Sequence, residues 1–91
     1  MNLPVTTPVA GQSWQEAERH YRKAVELRPA DPWVHQRLGY VLLKLERNAE
    51  AVDEYAAAIA LLPDDLPPGE LACTLALAQE RADLPVTAEC Q

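Results

Sequence analysis

Residues 32–65 read PWVHQRLGYVLLKLERNAEAVDEYAAAIALLPDD, and this stretch decides the fold. Asp31 precedes it, and Asp-Pro is a strong helix start. The carboxylate can accept from an early backbone N–H, and proline loses nothing at the first helical position, where its missing donor would be unpaired anyway. Val34, Leu38, Val41, Leu42 and Leu45 then recur at steps of three and four, as one buried helical face requires. The spacing predicts a helix over residues 32–46, a break at Glu46–Asn48, and a second helix over 48–62 that Pro63 ends. Two helices joined by so short a connection must fold back on each other.

The second helix and its exit repeat earlier in the chain. At a shift of 34 residues, Glu16 meets Glu50, Ala17 meets Ala51, Tyr21 meets Tyr55 and Ala24 meets Ala58. Leu27 meets Leu61, Pro29 meets Pro63, and Asp31 meets Asp65; Val25 meets Ile59 conservatively. A 34-residue period built on helix–turn–helix is the mark of a stacked repeat array.

With Leu38-Gly39, the spaced Ala51 and Tyr55, Ala58 and Pro63, residues 32–65 resemble one unit of the tetratricopeptide-repeat family. His35 stands where that pattern has tryptophan, Leu42 where it has tyrosine, and Glu46 where it usually turns on glycine. The resemblance implies an all-α, antiparallel helix–turn–helix solenoid of about four helices. Residues 13–31 read as the second half of a preceding unit, with its own helix to about Arg28. Residues 66–83 read as the first half of a following unit or a capping helix, helical over about 69–82. In that last helix a 33-residue shift sets Leu71, Ala72 and Leu75 on Leu38, Gly39 and Leu42; a 34-residue shift sets Ala72, Cys73 and Ala76 there. The 33-residue register is preferred.

These residue types have a packing rationale. Helix axes approach to about 8–10 Å only where small side chains meet. Ala17, Ala24, Gly39, Ala51 and Ala58 provide clearance, and Tyr21 and Tyr55 fill the wider gaps. Gly39 inside a helix costs about 1 kcal/mol relative to alanine, so a close contact is expected there. Around this core, residues 1–12 hold Pro4, Pro8 and Gly11 and predict an extended or disordered leader; Ser13 to Glu16 have the form of a capping box. Pro85 closes the helical region at 83, leaving 84–91 as a tail.

The resemblance also implies a function: first helices of such units line a groove that receives a peptide or a partner helix. Carried onto helix 32–46, the groove residues are Trp33, Gln36, Arg37, Tyr40, Leu43 and Lys44, an aromatic and cationic set suited to anchoring a partner protein. Members that clamp the carboxylate terminus of chaperones use Lys and Asn across three units. Here Gln36 and Tyr40 stand in those places, so that clamp is not expected. The last helix is apolar nearly all round, which points to self-association, such as a homodimer, through Leu71, Leu75 and Leu77. A second reading makes the chain a repeat segment of a larger enzyme or of a secretion or assembly component.

Charge and composition exclude other classes. Residues 1–47 balance at +2 and residues 48–91 at −8, within a net charge of −6. No basic stripe exists to displace counterions from phosphates, so nucleic acid is not an expected partner. The acidic half can steer a basic partner, and it also keeps a protein soluble. No apolar run approaches the roughly 20 residues that span a bilayer, so membrane insertion is not expected. His20 and His35 are 15 residues apart without metal-spaced companions, Cys73 and Cys90 are not a C-x-x-C pair, and no glycine-rich phosphate loop occurs. The expectation is a non-catalytic chain without cofactor or metal, with its two thiols reduced in a cytoplasmic setting.

Overall fold

A computed structural model describes residues 12–88. It contains four helices: α1 (Gln12–Leu27), α2 (Pro32–Lys44), α3 (Asn48–Ala60) and α4 (Glu70–Arg81). Each packs on the next in chain order, and α2 against α3 is the largest of the interfaces. All four fall where the periodicity and the prolines put them, to within two residues at each end. The expected leader lies outside the described residues except for Gln12, which already belongs to α1. Ser13 is therefore inside the helix rather than at its cap.

The start of α2 is built as the Asp-Pro pair dictates. Asp31 has extended backbone, and its Oδ1 accepts from the Trp33 N–H at 2.9 Å. The end of α2 is a tight reversal. The N–H of Glu46 donates to the Leu43 carbonyl, and that of Arg47 to the Leu42 carbonyl. This pattern needs a left-handed residue at the turn, and Glu46 supplies it with φ 63°. The end of α4 repeats the device: Asp83 has φ 61°, and Leu84 N–H donates to the Gln79 carbonyl. Neither position carries the glycine that usually relieves this geometry.

The core is centred on Tyr55, Leu38, Leu42 and Val41, all almost fully enclosed. At its heart the Tyr55 ring lies on Gly39. A methyl group placed on Gly39 would come within 3.1 Å of the Tyr55 Cε2 and Cζ atoms, tighter than ordinary van der Waals contact. The absent side chain is what lets α2 and α3 meet with a tyrosine between them. Burial holds the Tyr55 phenol protonated, its pKa pushed up to about 12, with the nearby Tyr40 adding to the effect. In α4, Leu71, Ala72 and Leu75 are buried while Cys73 and Ala76 are only half-buried, so the burial follows the 33-residue register.

Two polar devices tie the stack together. On one surface Arg47 holds Glu50 with two nitrogens at 2.8 and 2.9 Å and also reaches Glu18 at 2.8 Å. Arg22 closes the ring of charges, at 2.8 Å to Glu18 and 3.0 Å to Glu50. The hydrogen bond from Arg47 is the main cause that holds the Glu50 carboxyl below its usual range. All four groups touch water, so the network fixes the α1–α3 geometry more than it adds stability. At the other end, buried Gln79 grips the tail. Its Oε1 accepts from the Thr87 and Ala88 N–H groups, and its Nε2 donates to the Thr87 hydroxyl at 2.9 Å. Ala88 is thereby packed against the core.

Two substitutions test this packing. Gly39→Leu forces the Tyr55 ring away and is expected to cost about 2 kcal/mol or more, roughly a 10 °C fall in melting temperature; an unchanged melt would remove the proposed contact. Glu46→Gly relieves the left-handed strain at an exposed site and is expected to raise stability by up to about 1 kcal/mol in urea titration.

Candidate interaction groove

The 34-residue repeat makes α1 and α3 equivalent, yet their surroundings differ. In α3, Ala51, Tyr55 and Ala58 are 0%, 1% and 0% exposed, covered by α2. Their counterparts in α1, Ala17, Tyr21 and Ala24, are only half-buried. On this side, only partly covered among the described residues, runs a groove of about 470 Å³ between α1 and α2. Trp14, Ala17 and Tyr21 form one wall; Gln36, Arg37, Tyr40 and Val41 form the other.

The groove's chemistry is aromatic with a cationic rim. Trp14 and Tyr40 meet edge-to-face with ring centroids 5.9 Å apart. The Lys44 ammonium lies 5.3 Å from the Tyr40 ring centre, a cation–π contact. Neither Arg37 nor Lys44 has a carboxylate within ion-pair distance among the described residues. Tyr40 is 49% exposed, so an aromatic face and two unpaired cations stand open to solvent together.

The expected groove set divides. Gln36, Arg37 and Tyr40 line this groove, with Lys44 stacked on Tyr40. Trp33, itself exposed, instead lines a smaller cleft with Gln36, Leu62, Leu66 and the Pro67-Pro68-Gly69 loop. Leu43 does not belong to the surface at all: it is 6% exposed, a core residue, because α2 is flanked by α1 and α3 and buries more than one face. Trp14, Ala17 and Tyr21 complete the groove from α1. Their spacing of three and four residues places them on a shared face of the helix whose usual partner helix the sequence leaves absent.

The expected self-association residues divide likewise. Leu71 and Leu75 are buried in the core of the single chain, where α4 packs on α3, so neither is left to meet a second copy. Leu77 alone of the three is exposed. Ala78 of α4 is buried with them, and the tail that Gln79 holds packs Ala88 against the same core.

His35 sits between α2, α3 and the loop after α1: Nδ1 is 2.9 Å from Glu54 Oε1 and Nε2 is 2.8 Å from the Pro29 carbonyl. Both partners only accept, so both ring nitrogens donate together only in the imidazolium form. Burial by itself lowers the pKa of His35. The Pro29 carbonyl, the Glu54 carboxylate and the charge of Asp31 outweigh it, and the net shift is upward from 6.5. Cys73 is disulfide-bonded, contrary to the expected reduced thiol, and this takes away the cysteine argument for a cytoplasmic setting. The other cysteine, Cys90, lies outside the described residues. Among the described residues no group of three or more His, Cys, Asp or Glu side chains is placed to hold a metal ion.

Paired helices stacked in register, with Tyr55 lying on Gly39 between α2 and α3, define an α-helical repeat scaffold. The chain belongs to the tetratricopeptide-repeat family, whose sequence model matches residues 9–75. As members of that family generally do, it has the framework of a protein–protein interaction module. Neither a curated protein nor a solved structure matches the chain significantly. No helix among the described residues is long and apolar enough to cross a membrane.

The His35 geometry sets a pH dependence. Its folded pKa is raised, so its contribution is complete below about 6.5, the unfolded value, and is lost as pH rises through the folded value. As pH rises above about 6.5 the wild type should lose stability that a His35→Asn variant does not lose. Parallel pH–stability curves for the two proteins would contradict this role.

Proposed function

We propose that this chain is a non-catalytic binding module that holds a peptide or helix of a partner protein in the α1–α2 groove. The observation that carries the reading is the Tyr40 face with Arg37 and Lys44 beside it, exposed and without carboxylate partners among the described residues. Aromatic rings and guanidinium groups contribute most of the energy at protein interfaces, above all where they cluster in a concavity. Gln36 adds a donor and acceptor on the groove wall for a bound backbone.

A second reading treats the chain as the repeat segment of a larger enzyme or of a secretion or assembly component. The half-covered Tyr21 face favours it, since a scaffold in an assembly has that face closed by a neighbour. The two readings share the groove and differ in whether its occupant comes and goes.

Capture of partners from a cell extract by wild type and by Arg37→Glu/Tyr40→Ala separates the groove from other surfaces. Both positions are exposed, so the double variant should keep its helical content, with only the modest fall in melt that losing the Trp14–Tyr40 and Lys44–Tyr40 contacts brings. It is expected to lose about 2 kcal/mol or more of binding free energy, enough to drop partners from the captured set. If every partner binds both proteins equally, the groove is not the binding site.

A further inference from the structure

The internal repeat specifies what shape of ligand the groove takes. Ala17 and Tyr21 occupy on α1 the places that Ala51 and Tyr55 occupy on α3. On α3 those places are covered by α2, which lays Gly39 on the tyrosine ring and brings Leu38 and Leu42 beside it. The groove is thus the equivalent of the α2 position, moved back by one repeat. A surface of this form is complementary to a helix, and to one that carries a small residue where it crosses Tyr21.

The rim specifies the charge. Arg37 and Lys44 project from α2 along the groove without carboxylate partners among the described residues. An acidic helix flank would supply them. Two segments within residues 1–91 fit poorly. Residues 1–11 contain no charged residue and have Pro4 and Pro8. The related helix α4 has its own Leu71, Ala72 and Leu75 buried on α3 and under the tail. The α4 of a second copy is therefore not free to fill the groove.

We infer that the α1–α2 groove receives an acidic amphipathic helix from a partner protein, which completes the half-unit of α1 by placing a glycine or alanine on Tyr21 and carboxylates against Arg37 and Lys44. This rests on the groove reading above and narrows it to one class of ligand. The partner helix would present Leu-Gly followed by an apolar residue at the fourth position, as Leu38-Gly39 and Leu42 do in α2, with Glu or Asp along the edge facing α2. Binding then extends the helical stack by one member and buries the half-open face of α1.

The probe is a labelled synthetic peptide of about 15–20 residues with that pattern, its binding to the full chain followed by fluorescence anisotropy. The inference expects saturable binding that weakens about tenfold or more on any of three changes. These are the peptide's glycine to leucine, its edge glutamates to lysine, and Arg37→Glu in the protein, whose fold circular dichroism would confirm. Failure to bind, or indifference to the glycine or the glutamates, overturns the inference. A peptide of the same composition broken by two central prolines should not bind. If it binds as well and remains sensitive to Arg37→Glu, the helical ligand is wrong while the groove reading stands. If binding ignores both Arg37→Glu and Tyr40→Ala, both readings fail. Dimerisation of the chain by itself, abolished by Tyr40→Ala, would make a second copy the occupant and also overturn the inference.

Discussion

Tyr55 resting on Gly39 is the contact from which the rest of this structure is built. A tyrosine between two helices normally holds them apart. Here the facing residue has no side chain, and the alanines at 51 and 58 stand one helical turn to either side. The ring therefore fills the space between α2 and α3 without widening it, and Leu38 and Leu42 close around it. The cost of a helical glycine is offset by a close-packed interface. Because the same residues recur at α1, the same contact is prepared there, with its second half left open. Core and candidate site are two instances of one packing motif, one filled and one unfilled.

Much of this was legible in the sequence. The 34-residue identity of Ala17, Tyr21 and Ala24 with Ala51, Tyr55 and Ala58 gives the architecture, and prolines at 29, 32, 63 and 85 bound the helices. The groove residues were legible in part. Periodicity assigns one buried face to each helix, so it leaves Leu43 outside; a helix flanked by two neighbours buries more than one face, and Leu43 goes in. The same rule left Leu71 and Leu75 as surface candidates, because an apolar helix at the end of an array has no evident cover. Sequence gives no hint that Gln79 would hold the tail there, since it reads as the first of the polar residues Gln79, Glu80 and Arg81 that end α4.

Other features have no sequence signal of the usual kind. Glu46 and Asp83 take left-handed conformations without being glycine or asparagine, since the hydrogen bonds that close α2 and α4 impose the turn. His35 replaces the tryptophan of the family pattern and converts a packing position into a polar staple. It ties the exit of α1 to α3 through Pro29 and Glu54, beside the same α2 that carries the groove wall. The ring of Arg22, Glu18, Arg47 and Glu50 does the same on another surface. Each holds α1 close to α3, although among the described residues α1 packs chiefly on α2.

That inequality between two equivalent helices is the centre of the account, and native-state amide hydrogen exchange reads it directly. Protection follows the packing that must open before an amide is exposed. Amides around Tyr55 in α3, covered by α2, should exchange roughly tenfold or more slowly than the matching amides around Tyr21 in α1. Equal protection along α1 and α3 in the isolated chain would mean that the α1 face is already closed, and the open half-unit would not exist.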